Sequence, residues 1–403
     1  MKIGFIGLGK LGLPVALAVE SKGHEVKGYD INPAVQQYLD DRAIPFQEAD
    51  IQPLLDSHNI QLLPSIEEVC EWADIVFCAV QTPHDPKFEG VNRHPEEHKD
   101  FDYSYLVDAV SKVRDVTLVV ISTCLPGTFN NTIQQHVHES VKYVYNPFFI
   151  AMGTVLADFL NPEFVLVGQR DIEAREQLEA FYKTIHDRPL LVTDITTAEA
   201  IKVSYNTIIT AKTVIANVWA QIAEATGADM DDIYKAWSMA TDRIISPRYL
   251  QAGMSDGGGC HPRDNTALAK IADDIDMSFN FFDALMYARE AHEQWIAEYV
   301  ANLNIPYPVF ILGKSFKPET NITTGSPAIL LANILEEMGV QFKHYDPYID
   351  TTGVNLSQRA IWVIATKHAR FAEYEFQQGS VVIDPFGIIE DQPGVDVRRL
   401  GRR

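Results

Sequence analysis

Lys2-Ile3-Gly4-Phe5-Ile6-Gly7-Leu8-Gly9-Lys10-Leu11-Gly12 opens the chain, and its reading decides the fold. Lys2–Ile6 is an apolar run of the length of a short buried strand. Gly7, Gly9 and Gly12 follow at G-x-G-x-x-G spacing, and an Ala/Val/Leu-rich helix continues to about Lys22. Glu25–Tyr29 reads as a second strand with Asp30 at its end. Glycines in a strand–turn–helix context, with an acid about 20 residues on, form the dinucleotide-binding fingerprint. Gly7 permits the tight turn, Gly9 lets backbone reach a pyrophosphate, and Gly12 permits close packing of helix on strand. The helix N-terminus, where Lys10 and Leu11 stand, faces that pyrophosphate. Asp30 accepts from both ribose hydroxyls and repels a 2′-phosphate, so NAD is expected rather than NADP.

Working outward, further strands are expected at 75–80, 117–122, 143–145 and 165–168, with helices between several of them. That alternation predicts a doubly wound parallel sheet. Thr82-Pro83 and Thr123-Cys124-Leu125-Pro126-Gly127 fall just past strand ends, where such sheets bind ligands. Ordinary loop chemistry accounts for either stretch equally well. From Thr196 the pattern changes: 197–226 is one long helical stretch with neither Gly nor Pro. Lys202 and Asn206 are four apart and share a face of it. Its many apolar residues leave little polar face, which suits a buried helix with an oriented lysine–asparagine pair better than a solvated one. More helices are expected near 231–239 and from 281 to about 303. Pro306-Tyr307-Pro308 looks like a linker, after which strands at 309–312, 342–345, 361–365 and 381–384 and a helix at 328–338 make a second α/β unit.

Composition excludes several classes. A net charge of −22 argues against a non-specific nucleic-acid binder and against attraction to anionic lipid. No apolar run of about 20 residues is present, so no membrane span is expected. The chain starts directly on a strand, so a signal peptide is not expected. The four cysteines, Cys70, Cys78, Cys124 and Cys260, form neither a CxxC pair nor a zinc spacing. That suggests reduced thiols in a cytoplasmic protein, and no metal site.

One stretch asks for chemistry: Asp256-Gly257-Gly258-Gly259-Cys260-His261-Pro262-Arg263-Asp264-Asn265. Three glycines let backbone approach a ligand closely. Cationic neighbours lower a thiol's pKa, and the thiolate is the nucleophile. Asp264 stands just before a helix expected at 265–271. A glycine turn beside a buried cysteine is the plainer interpretation.

Taken together these motifs identify the chain as similar to the UDP-glucose/GDP-mannose dehydrogenase family over essentially its whole length. Val80-Gln81-Thr82-Pro83 resembles the family's V-G-T-P, and Ser122-Thr123-Cys124-Leu125-Pro126-Gly127-Thr128 its S-T-V-P-x-G-T. Asp158-Phe159-Leu160-Asn161-Pro162 resembles D-x-x-N-P. Lys202 and Asn206 match the central-helix pair. Gly257-Gly258-Gly259-Cys260-His261-Pro262-Arg263-Asp264 fits G-G-x-C-x-P-K-D in register, with Arg263 for the lysine. Phe316-Lys317-Pro318 and Ser326-Pro327 match F-K-P and S-P.

The resemblance implies two Rossmann-like domains joined by a long central helix. Residues 1–195 would bind NAD, 196–304 would form a homodimer, and 305–403 would bind a nucleotide sugar. It implies two oxidations of a sugar C6, through a Cys260 thiohemiacetal and thioester, in polysaccharide biosynthesis. Cys260, Lys202, Asn206, Asp264 and Thr123 would be catalytic. Gly7, Gly9, Lys10, Leu11, Gly12, Asp30, Thr82, Pro83 and Thr123 would hold the cofactor. Lys202, Asn206, Arg243, Gly257, Gly258, Gly259, Phe316 and Lys317 would meet the substrate.

Three departures stand out. The family's N-P-E-F-L-R-E reads Asn146-Pro147-Phe148-Phe149-Ile150-Ala151-Met152, so Phe148 and Met152 replace both glutamates. One of these is the family's usual base for thioester hydrolysis. The arginine before S-P reads Thr324, and the late D-x-R reads Asp384-Pro385-Phe386. A single oxidation releasing the aldehyde, and a nucleotide-sugar-binding relative without turnover, are the competing functions. A β-hydroxyacid dehydrogenase shares the glycine fingerprint and a helical lysine but needs neither the Cys260 loop nor a third α/β domain.

Overall fold

The computed structural model describes residues 1–83, 100–246, 251–258 and 261–401. Two compact units divide the chain, Met1–Lys212 and Thr213–Arg403.

In the first unit the elements run β1 (Lys2–Ile6), α1 (Gly12–Ser21), β2 (Glu25–Tyr29), α2 (Ala34–Asp40), α3 (Gln52–Ser57), β3 (Gln61–Leu62), α4 (Ile66–Trp72), β4 (Ile75–Cys78) and α5 (Ser104–Lys112). They continue with β5 (Thr117–Val120), β6 (Lys142–Tyr145), α6 (Val155–Leu160), β7 (Val165–Gln169), α7 (Ile172–Ile185) and β8 (Leu190–Asp194). The sheet order is β3-β2-β1-β4-β5-β6-β7-β8. Its central strands are apolar throughout because both faces are covered. Ile3 and Phe5 of β1 join the core beside α1 and α7, whereas Ile6, Val76 and Cys78 join the core beside α4 and α5.

The doubly wound parallel sheet expected from sequence forms, with one correction: β6 and β7 are antiparallel, with Tyr145 opposite Gly168. The link between them holds only α6, six residues long, or roughly 9 Å of helix. So short a helix does not return the chain to the start of the sheet. Edge strands β3 and β8 escaped the sequence because β3 has two residues and β8 is largely exposed.

The helix α8 (Ile195–Thr226) has 32 residues, about 48 Å of rise. Ile208 and Ile209 are exposed on it, as are Val214 and Ile215. The second unit adds α9 (Met230–Met239), α10 (His261–Asp274) and α11 (Phe281–Ala301). It then has β9 (Val309–Leu312), α12 (Pro327–Glu337), β10 (Phe342–Tyr345), β11 (Ile361–Ile364), α13 (Ala369–Ala372), β12 (Val381–Asp384) and β13 (Asp396–Arg399). The strand order is β10-β9-β11-β12-β13, all parallel. A second correction concerns α10, which starts at His261, so Asp264 lies inside the helix rather than before it. Pro262 sits in the first turn, where its missing N–H costs nothing.

Candidate active site

The turn after β1 has the shape its glycines require. Gly7 has φ +91°, and a Cβ there would lie 2.9 Å from the Ala79 carbonyl oxygen. A Cβ on Gly12 would lie 2.0 Å from the Gly7 oxygen. A Cβ on Gly9 would meet nothing within 4 Å, so the space in front of that backbone is open. The N-terminus of α1, at Leu11, has no side-chain cap, and the positive end of a helix favours an anion there. Lys10 is exposed beside it. Asp30 is fixed from two sides: Leu8 N–H donates to its Oδ2 at 2.6 Å and Asn32 N–H to its Oδ1 at 2.8 Å. The open cradle, the uncapped helix and an oriented carboxylate fit a dinucleotide.

Across the β4 and β5 ends, the Thr82 hydroxyl donates to the Thr123 carbonyl at 2.8 Å, and the Ser122 hydroxyl to the Val80 carbonyl at 2.6 Å. The structure therefore brings the Thr82 and Thr123 loops together. Pro83 is the last residue described before position 100.

Lys202 is half-buried on α8, and its Nζ donates to the Phe148 carbonyl at 2.7 Å. It lies 5.2 Å from the centre of the Phe149 ring. Burial lowers its pKa from the ordinary lysine value. Among the described residues no salt bridge joins Lys202 to a carboxylate. Asn206, one turn further on, is exposed. The Phe148 ring packs 5.6 Å from Phe159, beside a small cleft also lined by Ile150, Phe164 and Tyr182. Met152 is 65% exposed. Asp158 accepts from Ala151 N–H and the Thr154 hydroxyl, both at 2.9 Å, so it pins the turn there.

Sequence reasoning passed over Glu199. This carboxylate is 1% exposed. Its Oε2 accepts from Gly127 N–H at 2.7 Å and its Oε1 from Phe129 N–H at 2.8 Å. Burial raises its pKa against those bonds. It ties α8, three residues before Lys202, to the loop that begins at Thr123. An acid at that spacing from a lysine in an apolar helix was the available signal.

In the second unit the glycine loop packs on protein. A Cβ on Gly257 would lie 2.8 Å from the Gly325 carbonyl, and one on Gly258, with φ +90°, would lie 2.9 Å from Phe316 Cε2. These two glycines are required by contact with the segment that holds Phe316-Lys317-Pro318. Lys317 is exposed beside it. Gly259 and Cys260 lie outside the described residues; Asp264 falls in the first turn of α10. Arg243 is exposed in the turn after α9. Phe386, where an arginine was expected, packs on Gly253, so close that a Cβ on the glycine would lie 2.6 Å from the ring.

The loop holding Lys317 is anchored from beneath. Asp346 Oδ2 accepts from Lys314 N–H at 2.7 Å, Ser315 N–H at 3.0 Å and the Ser315 hydroxyl at 3.2 Å. His368 Nε2 also meets it at 3.2 Å, and Glu319 N–H donates to His368 Nδ1 at 3.0 Å. Nδ1 is thus the acceptor, and Nε2 carries the proton. Burial pushes the Asp346 carboxyl up, but the His368 bond and two backbone N–H groups hold it below its ordinary value.

Among the described residues no group of three or more His, Cys, Asp or Glu could hold a metal ion, and no helix is long and apolar enough to cross a membrane.

The NAD-binding, central and UDP-binding domain models of the UDP-glucose/GDP-mannose dehydrogenase family match residues 1–186, 196–290 and 310–391. A UDP-glucose 6-dehydrogenase of Rickettsia conorii is 26% identical, covering 100% of this chain and 98% of its own. One of Bacillus subtilis is 27% identical over 86% of this chain and 80% of its own. Among solved structures, a ternary complex of GDP-mannose dehydrogenase from Pseudomonas aeruginosa superposes with TM-score 0.88 at 22% identity, covering 98% and 99% of the two chains.

Proposed function

The chain belongs to the UDP-glucose/GDP-mannose dehydrogenase family and is an NAD-dependent dehydrogenase acting on CH–OH groups; from that premise we propose that it oxidises the C6 hydroxymethyl of a UDP-hexose twice, to the uronic acid. UDP-glucose is the leading substrate, from the names of the relatives and the UDP-binding domain. The observation that carries this reading is Lys202: a half-buried ammonium of lowered pKa, held by the Phe148 carbonyl on the helix the family uses for catalysis. The functional division is 1–195, 196–304 and 305–403.

NAD, when bound, supplies the hydride acceptor for both oxidations. Gly7, Gly9, Gly12 and the start of α1 seat its pyrophosphate, and Asp30 its ribose. Lys202 and Asp264, with a water, take the C6 hydroxyl proton as the first C–H bond breaks. The Cys260 thiolate adds to the aldehyde carbon, and the alkoxide so formed is stabilised by Lys202 and Asn206. Loss of the second hydride from that carbon leaves a thioester. Water then attacks it, expelling the thiolate and releasing the acid. Phe148 and Met152 offer no base for this last step, and Asp158 is committed to the Ala151–Thr154 turn. A positioned base contributes about 10²–10⁴-fold, so hydrolysis is slow and rate-limiting. The same absence favours the second reading, release of the aldehyde after one oxidation.

The protein acts as a homodimer through α8, where Ile208, Ile209, Val214 and Ile215 are exposed and a symmetric partner would cover them. A cytoplasmic setting would keep Cys260 reduced. Turnover with UDP-, GDP- and dTDP-hexoses tests the substrate. Two NADH per sugar, with an acyl adduct on Cys260 after a burst, are expected. One NADH with free aldehyde would establish the single oxidation, and acid formation by Cys260→Ser would overturn the thiol mechanism. Light scattering showing a monomer at micromolar concentration would overturn the dimer.

A further inference from the structure

One face of α11 is given over to a single loop. His292 Nε2 donates to the Gly253 carbonyl at 2.8 Å, Ser255 N–H donates to Glu293 Oε1 at 2.9 Å, and the Ser255 hydroxyl donates to the Arg289 carbonyl at 3.3 Å. Arg289, His292 and Glu293 stand at i, i+3 and i+4, the spacing of one helix face. The Arg289 guanidinium does more than anchor the helix. Its Nε meets the Asp256 carbonyl at 3.2 Å and Asp256 Oδ1 at 3.0 Å. Its Nη2 meets the Asp256 carbonyl at 3.1 Å and the Gly325 carbonyl at 3.0 Å. One planar group therefore bridges two loops, 253–258 and 313–325. These loops touch: a Cβ on Gly325 would lie 2.3 Å from the Gly258 carbonyl oxygen. The first leads within two residues into Cys260, and the second carries Lys317. The Arg289 side chain is only 11% exposed, so its Nε and Nη2 donors face these acceptors rather than solvent. A lysine has the charge but not the fork that spans two carbonyls.

We propose that Arg289 is a positioning residue for the reaction, joining the loop that leads into the nucleophile to the loop that meets the sugar nucleotide, so that both are presented in one register. The proposal rests on Cys260 being the nucleophile. Misplacement by about 1 Å costs on the order of 10² in rate, which sets the size of effect to expect from a bridge that touches no substrate.

The test uses the full-length enzyme and iodoacetamide at neutral pH, with each cysteine followed by mass spectrometry. Arg289→Ala frees the 253–258 loop and raises the labelling rate of Cys260 by on the order of tenfold through local opening, while buried Cys70, Cys78 and Cys124 stay unlabelled. Ethylguanidinium slows the labelling again, ethylammonium does not, and Arg289→Lys falls between the two. With UDP-glucose as the probe, kcat falls roughly 10²-fold while KM for NAD holds. Unchanged Cys260 labelling in both variants would overturn the proposal. So would labelling of all four cysteines together, which would show a merely structural anchor. Acid formation by Cys260→Ser would instead overturn the nucleophile assignment and leave the labelling result standing.

Discussion

The first turn of each sheet is the same device used in opposite ways. After β1, Gly7 has φ +91° and its N–H donates to the Tyr29 carbonyl at 2.9 Å; Leu8 N–H donates to Asp30 at the end of β2. After β9, Gly313 has φ +109° and its N–H donates to the Tyr345 carbonyl at 2.7 Å; Lys314 N–H donates to Asp346 at the end of β10. Beyond that the two diverge. The first turn runs on to Gly9 with open space before it, and Asp30 stays half-buried. In the second, a Cβ on Gly313 would lie 2.4 Å from Thr366, and Ser315 and His368 cover Asp346, which is 0% exposed. The open turn has free acceptor positions for a ribose. The closed turn spends its carboxylate on its own backbone and thereby fixes the Phe316-Lys317 loop.

The largest effect that would break this contrast is on stability. Asp346→Ala leaves three backbone N–H groups, those of Lys314, Ser315 and Tyr348, and His368 Nε2 facing a void and is expected to cost about 3–5 kcal/mol, read as an early unfolding transition in urea. Asp30→Ala should leave that transition within about 1 kcal/mol and weaken NAD far more than NADP. Equal destabilisation by the two substitutions would dissolve the distinction between an open and a closed turn.

Glycine substitutions sharpen it at a smaller scale. Gly313→Ala meets both the positive φ and the Thr366 side chain, and should cost roughly 1–3 kcal/mol. Gly9→Ala meets no protein atom and should fold as wild type, yet lose NAD affinity in a fluorescence titration because the methyl enters the pyrophosphate space. Retained NAD affinity in Gly9→Ala would show that the open space is not the cofactor's.

Phe148 contrasts with both turns, since its carbonyl serves Lys202 while its ring serves the core. Phe148→Glu should therefore cost about 2 kcal/mol in thermal or urea unfolding before it can act as a base. Faster acid release by a variant of wild-type stability would show that the side chain can leave the core.

The smallest expected effect is pH-dependent. Asp346 titrates below its ordinary value of 3.8, so the unfolded chain binds the proton more readily than the folded one. Its contribution is complete above that value and is lost as pH falls through the lowered one. Urea titrations below pH 4 should show a shallower loss of stability in Asp346→Asn than in wild type. Parallel slopes would remove Asp346 from the acid transition.

The glycine fingerprint was legible because its context is local: strand, turn, helix and acid all fall within residues 2–30. Lys202 and Asn206 were legible for the same reason, as neighbours on one helix face. The antiparallel β7 was not, because register depends on what the preceding segment can span. Glu199, Arg289 and His368 escaped because their partners lie 22 to 72 residues away, from Asp346 for His368 to Gly127 for Glu199. The triple glycine was half legible. Its need for close approach could be read, but the neighbour approached is Phe316 and Gly325.

What the sequence by itself determined is therefore what short-range chemistry dictates: two α/β halves, the NAD fingerprint and the long helix with its lysine. Tertiary structure decided what each turn's carboxylate is used for. Asp30 and Asp346 each follow a tyrosine at a strand end, so the two acids look alike in their own strands even though only the first turn carries the glycine fingerprint. His368, arriving from beyond β11, joins Ser315 in covering one carboxylate, whereas no such side chain seals Asp30 among the described residues. A buried carboxylate must find its donors within the protein, and a half-buried one is left to find them in a ligand.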